Sequence, residues 1–337
     1  LHVALILTLW SIFNTAMRWA QALWFGRGIR AVDVEDPVFI LGYWRSGTTL
    51  LHEMLALDPR FHAPTTFQAV VPNHFVISED FARRKLRFFL PRTRPMDNMP
   101  MAWEKPQEDE LALCNLGAGS PWWSVAFPNQ PQQYPRYLTL ETLSDNEFAR
   151  WRDTWTRYLQ ALLFEHEGRL LLKSPQHSNR VRRIRQIFPA SPYIRIVRDP
   201  YDVFASAMRF WPAMYFRYGL QRPTLEGLED FVLDSFAEMD RNLTTALAEV
   251  PAQQQYLLRY EDLVADPIAE LRRVYAHFNW GDMAAAEARW RAYREDTRDY
   301  RTNEHHLTPE QVEKIDTHWS DYIERYGYRR EVAYETG

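Results

Sequence analysis

The 337-residue sequence holds a single cysteine, Cys114. One thiol closes no intrachain disulfide and offers no metal site by itself. Lysine is nearly absent. It occurs only at positions 85, 105, 173 and 314, and every other basic side chain is arginine, which makes a lysine inside an apolar run, Lys173, noticeable. No excess of positive charge exists, since the net charge is −4. That excludes a broad basic field for nucleic acid and leaves any polyanionic ligand to be held by local cations. A long hydrophobic run is missing too. The apolar stretch at the start breaks at Asn14, short of the ~20 residues a membrane-spanning helix needs. There is no internal repeat and no low-complexity linker, so residues 31–337 are expected to form a single domain behind an N-terminal helix within 1–30.

Residues 1–25 read as an amphipathic helix. Thr8, Ser11, Thr15 and Arg18 share one face, and Leu5, Ile6, Leu9, Ile12, Phe13, Met17 and Ala20 lie elsewhere. Three roles fit: a core or homodimer contact, a peripheral membrane anchor, or the remnant of a spanning segment. The chain is expected in the cytoplasm, with membrane association through this helix as the variant.

The chain is organised around residues 37–57. Val38-Phe39-Ile40-Leu41 is an apolar run too short for a helix and predicts a buried strand. A loop bounded by Gly42 and Gly47 follows, and then a helical pattern at Leu50, Leu51, Met54 and Leu55. Strand, glycine-bounded loop and helix are the layout of a phosphate cradle. The spacing nearly matches the nucleotide-triphosphate loop, with Thr49 in the Ser/Thr place, but Thr48 stands where that loop needs lysine. The nearest cation is Arg45.

Further on, Arg169 to Lys173 and Tyr193 to Val197 predict two more buried strands, and Gln255 to Leu258 a fourth. Ser144 with Glu147 marks a capped helix over 145–165. Helices are also expected over 81–90, 178–188, 201–208, 225–249, 267–278 and 307–326. Residues 91–135 and 209–218 read as proline- and aromatic-rich loops, with a short helix near Gln107-Glu108-Asp109-Glu110. Arg45, Lys173 and Arg198 thus fall at three strand ends, where an open parallel sheet binds its ligands.

Arg45-Ser46-Gly47-Thr48-Thr49 after a strand resembles the 5′-phosphosulfate loop of sulfotransferases that use 3′-phosphoadenosine 5′-phosphosulfate (PAPS). Cytosolic members usually carry lysine where Arg45 stands, and the tyrosylprotein type carries arginine. IRIVRDPYDVFASAM resembles the family's 3′-phosphate segment, with Arg198 and Ser206 at its spacing, and Arg259-Tyr260-Glu261-Asp262-Leu263 resembles a later segment. The resemblance implies an α/β fold: a central parallel sheet flanked by helices, a P-loop-like phosphosulfate-binding loop, and helix-rich terminal extensions. It implies in-line transfer of a sulfuryl group from PAPS to a hydroxyl, without a metal. Arg45, Ser46, Gly47, Thr48, Thr49, Arg198 and Ser206 would bind the co-substrate, and Arg45 and Lys173 would stabilise the leaving group. The base stays open. The family's histidine position falls on Pro175, and its glutamate position on Thr65 or Thr66. His177, Glu108 and Glu110 remain, with His177 slightly favoured for sharing a loop with Lys173. The aromatic loops point to a largely apolar small-molecule or lipid acceptor. A P-loop small-molecule kinase and a non-catalytic, membrane-associated nucleotide-binding scaffold are the alternatives.

Overall fold

Val38, Phe39, Ile40 and Leu41 are wholly buried because the strand they form, β1 (Val38–Leu41), lies mid-sheet. The computed structural model describes residues 2–85, 102–130, 135–296 and 307–328. The other strands are β2 (Phe61–His62), β3 (Arg169–Lys173), β4 (Tyr193–Val197) and β5 (Gln255–Arg259), in the spatial order β2-β3-β1-β4-β5. All four pairings are parallel, with Ile40 level with Lys173 on one side and with Ile194 on the other. Side chains of β1 alternate between two cores. Phe39 and Leu41 pack towards Trp151 and Trp155, and Val38 and Ile40 towards Leu51, Leu55 and Leu271. Covering on both faces explains why the central strands are continuous apolar runs. A third core, with Tyr43, Trp44 and Phe204, lies beyond the strands' carboxyl ends.

The central strands and the Ser144–Glu147 capping box stand where expected, and the capped helix runs Asp145–Leu163. Four expectations need correction. The helix after β4 does not stop near Met208 but continues from Pro200 to Tyr218, through Pro212, so 210–218 is no loop. Proline removes one backbone donor, and the apolar packing of Phe210, Trp211 and their neighbours outweighs that loss. The 178–188 helix is a 3-10 turn, Pro175–Asn179, and a short helix, Val181–Arg185, because Arg180 leaves helical geometry between them. The C-terminal helix is two, Pro309–His318 and Ser320–Tyr326. The basic helix begins earlier, at Phe75, and runs to Lys85; its expected end, 86–90, lies outside the described residues, as does 91–101 of the proline-rich stretch.

The N-terminal helix spans His2–Trp24 and is not a core helix. Leu9, Ile12, Trp19 and Leu23 are 58%, 62%, 69% and 82% exposed, while His74 Nε2 donates to Asn14 Oδ1 at 2.9 Å on the covered side. Among the described residues no helix is long and apolar enough to cross a membrane.

One edge contact is pH-sensitive. The His62 ring in β2 stacks on His166 at 4.2 Å, and burial, aided by the His166 charge, holds His62 down at about 4. A folded-state value below the ordinary 6.5 means that unfolding takes up a proton in acid. This contribution to stability is complete above 6.5 and is lost as pH falls towards about 4. Urea midpoints across that window should fall in wild type and fall less steeply in His62→Phe.

Candidate active site

The loop after β1 is fixed from both sides. Ser46 Oγ donates to the Tyr43 carbonyl at 2.7 Å, and the Gly42 N–H donates to Ser178 Oγ at 2.9 Å. Gly47 sits at φ 97°, and a Cβ there would lie 2.2 Å from the Tyr260 ring, so only glycine fits. Arg45 holds a positive φ of 72° without being glycine, a strained geometry of the kind kept at ligand sites. Thr48 and Thr49 then open the helix Thr48–Leu55, whose first N–H groups lack intrahelical acceptors and face the loop.

At the end of β4 a second cationic group joins the loop. Arg198 is 8% exposed, and its Nη1 donates to the Arg45 carbonyl at 3.1 Å. Its guanidinium lies over the Tyr260 ring at 4.3 Å and pairs with Asp202 at 3.2 Å, while its buried Nε has no hydrogen-bond partner. Arg45 Nε donates to Ser206 Oγ at 3.0 Å. The two anion sites inferred from sequence are therefore one connected cluster.

Lys173, at the end of β3, is 3% exposed, and its Nζ donates to Glu108 Oε1 at 2.8 Å and to Thr49 Oγ1 at 3.5 Å. Glu108 lines a cavity of about 520 Å³ together with Arg45, Thr48 and Thr49. The rest of that lining is largely apolar, including Trp44, Leu111, Trp122, Trp123, Phe210 and Met214.

The three consecutive acids separate because they open the helix Asp109–Leu116, where successive positions turn by about 100°. Glu108 faces the cavity. Asp109 is wholly buried and accepts from Ser174 Oγ at 2.7 Å, His177 Nε2 at 2.9 Å and Trp155 Nε1 at 2.9 Å. Burial pushes the Asp109 carboxyl up, but the neighbouring His177 and these hydrogen bonds outweigh it and hold it at about 2. Glu110, also wholly buried, pairs with Arg180 and accepts from Ser120 Oγ at 2.6 Å.

The Sulfotransferase family matches residues 37–284 of the chain. A curated relative, omega-hydroxy-beta-dihydromenaquinone-9 sulfotransferase Stf3 of Mycobacterium bovis, is 41% identical over 330 residues, 98% of this chain and 85% of that protein. The chain belongs to the sulfotransferase family. It is an enzyme that moves a sulfuryl group to a hydroxyl of an organic acceptor, which sets aside the kinase and scaffold readings. Stf3 of Mycobacterium tuberculosis matches to the same extent. Among solved structures, sulfotransferase STF9 from Mycobacterium avium shares the fold with a TM-score of 0.74 at 20% identity, covering 92% of this chain and 81% of that one. Sulfotransferase STF1 from Mycobacterium tuberculosis gives 0.65 at 18%, covering 90% and 81%.

In this sulfotransferase Arg45, Ser46, Gly47, Thr48, Thr49, Lys173, Arg198, Ser206 and Glu108 come together at the carboxyl ends of the strands. His177 and Glu110 do not reach the cavity. His177 was favoured for its nearness to Lys173 in sequence, but its ring turns inward to Asp109 with no exposed surface. Thr66 lines the cavity, whereas Thr65 is spent on capping the helix Thr66–Val70. Sequence reasoning assigned no role to Tyr260, which packs on both Gly47 and Arg198. Only its place in the RYEDL segment could have pointed there.

Removing one partner of a buried pair costs about 3–5 kcal/mol. His177→Asn is expected to lose stability on that scale in urea unfolding, while turnover per folded molecule stays near wild type.

Proposed function

We propose that this sulfotransferase takes its sulfuryl group from PAPS and delivers it to the hydroxyl of a largely apolar alcohol of lipid type, with Glu108 as general base. The observation that carries this reading is Glu108, which lines an apolar cavity together with Arg45, Thr48 and Thr49 and is paired at 2.8 Å with the buried Lys173 behind it. The residues fit the co-substrate on a further count: the buried Arg198 Nε has no hydrogen-bond partner within the protein.

PAPS supplies a sulfuryl group bonded to a phosphate oxygen that gains negative charge as it leaves. The loop N–H groups with Ser46, Thr48 and Thr49 bind the 5′ end, and Arg198 with Ser206 binds the 3′-phosphate, where a guanidinium can fork onto two oxygens. Lys173 and Arg45 place positive charge where the leaving oxygen becomes anionic, which favours the transition state over the ground state. Glu108 accepts the acceptor's proton, within reach of a hydroxyl in the cavity. In the resting enzyme the hydrogen bond from Lys173 Nζ holds that carboxylate in place. The curated relative is named for a hydroxylated menaquinone derivative, and an apolar alcohol of that kind suits walls of tryptophan, leucine and methionine.

The N-terminal helix completes the reading as a lipid-surface contact. Its exposed stripe of Leu9, Ile12, Trp19 and Leu23 lies in a segment, 1–32, that carries Arg18, Arg27 and Arg30 and no acidic residue, although the whole chain is net negative. Apolar side chains with adjacent arginines suit an anionic interface. Wild type should sediment with anionic vesicles and the Ile12→Glu/Leu23→Glu variant should not. No binding by wild type, or a dimer in sedimentation velocity that the variant dissolves, would point to a second copy instead.

The chemistry is tested by calorimetry and turnover together. Wild type should bind 3′,5′-diphosphoadenosine without magnesium, and Arg198→Ala should weaken it. Glu108→Gln should keep that binding and lose about 10²–10⁴-fold in kcat, the span ascribed to a positioned base. Full turnover in Glu108→Gln, or loss of turnover in folded His177→Asn, would refute the assignment.

A further inference from the structure

A larger cavity lies against the one that holds Glu108. Its volume is about 790 Å³, and it shares Trp44, Trp122 and Val125 with its neighbour as a common wall. The helix Pro200–Tyr218 serves both, since Phe210 and Met214 line the first and Trp211 and Tyr215 the second. None of Arg45, Lys173 and Glu108 lines this second chamber, so it is no part of the reaction machinery. Most of its walls are apolar, with Leu138, Leu228, Phe231 and Met239 among them. One polar group stands out: Gln176 is 1% exposed and its Oε1 has no hydrogen-bond partner.

The partition is itself positioned. Trp122 belongs to the 3-10 helix Pro121–Ala126, whose cap, Ser120, accepts from the Trp122 N–H at 3.2 Å and donates to Glu110. Arg180 holds Glu110 in turn, so the wall between the chambers rests on a wholly buried ion pair.

We propose that the second chamber receives the far part of the acceptor, so that one elongated, largely apolar molecule spans both. Its hydroxyl lies beside Glu108, its chain passes Trp44 and Trp122, and the remainder fills the space under Leu138 and Phe231. This inference rests on the apolar-acceptor reading above. A chain left in water would forfeit the burial that drives its binding, and a second apolar chamber directly against the first removes that loss. Gln176 Oε1 meets a hydrogen-bond donor, an ordered water or a hydroxyl on that far part.

The test compares a short prenol, geraniol, with a long one, solanesol in detergent micelles, as acceptors for wild type, Leu138→Trp and Ser124→Trp. Both substituted positions are half-buried, line only the second chamber and come from different elements. Filling the chamber should lower kcat/KM for solanesol by about tenfold or more and leave geraniol within about twofold. Unchanged solanesol turnover in both folded variants would overturn the inference, and so would an equal fall for both alcohols. Acceleration or inhibition of geraniol turnover by added solanesol, without competition, would make the chamber a separate site and overturn it too. Wild type that binds 3′,5′-diphosphoadenosine but sulfates neither alcohol would refute the apolar-acceptor reading itself, and the inference with it.

Discussion

The contact between Lys173 and Glu108 joins the two halves of the chemistry. Lys173 reaches its place because β3 pairs in register with β1, so that the last residue of one strand lies level with Ile40, two residues before the loop begins. Glu108 arrives from a segment 65 residues away in sequence, at the start of a helix whose next two acids are anchored in the core. A buried ammonium left alone would be costly, and pairing removes that cost. The same pairing sets a cation directly behind a base that lines the cavity, where a leaving oxygen and an acceptor hydroxyl have to meet.

Around that pair the site is pre-assembled. Arg45 contributes its carbonyl to Arg198 and its side chain to Ser206, so the loop after β1 and the helix after β4 are locked before any ligand arrives. Tyr260, just beyond β5, backs both Gly47 and Arg198. Electrostatic stabilisation works best from groups that need not reorganise, and these are held by three strands at once. The strained backbone of Arg45 fits this picture: the surrounding contacts over-determine a geometry that the residue alone would avoid.

The scaffold was readable where local rules dominate. Four apolar residues between Pro37 and Gly42 could only be a short buried strand, and Ser144 with Glu147 announced its helix, as the capping box at that point bears out. Sequence reading failed where three-dimensional context decides. Three adjacent acids have the same chemistry on paper, and only the turn of the helix sends one to the cavity and two to buried partners. His177 is near Lys173 in sequence but sits on a 3-10 turn that swings its ring towards Asp109. Residues 209–218 read as an aromatic loop, yet the aromatic face there carries the helix through Pro212 to Tyr218, and with it one wall of each chamber.

If Lys173 and Glu108 act as one unit, single-turnover sulfuryl transfer in a double-mutant cycle is the most direct test. Lys173→Met and Glu108→Gln are each predicted to slow transfer strongly, and the double variant should be hardly slower than the worse single one. Additive losses, with the double variant slowed by the product of the two single effects, would show that the residues work independently and would contradict the account.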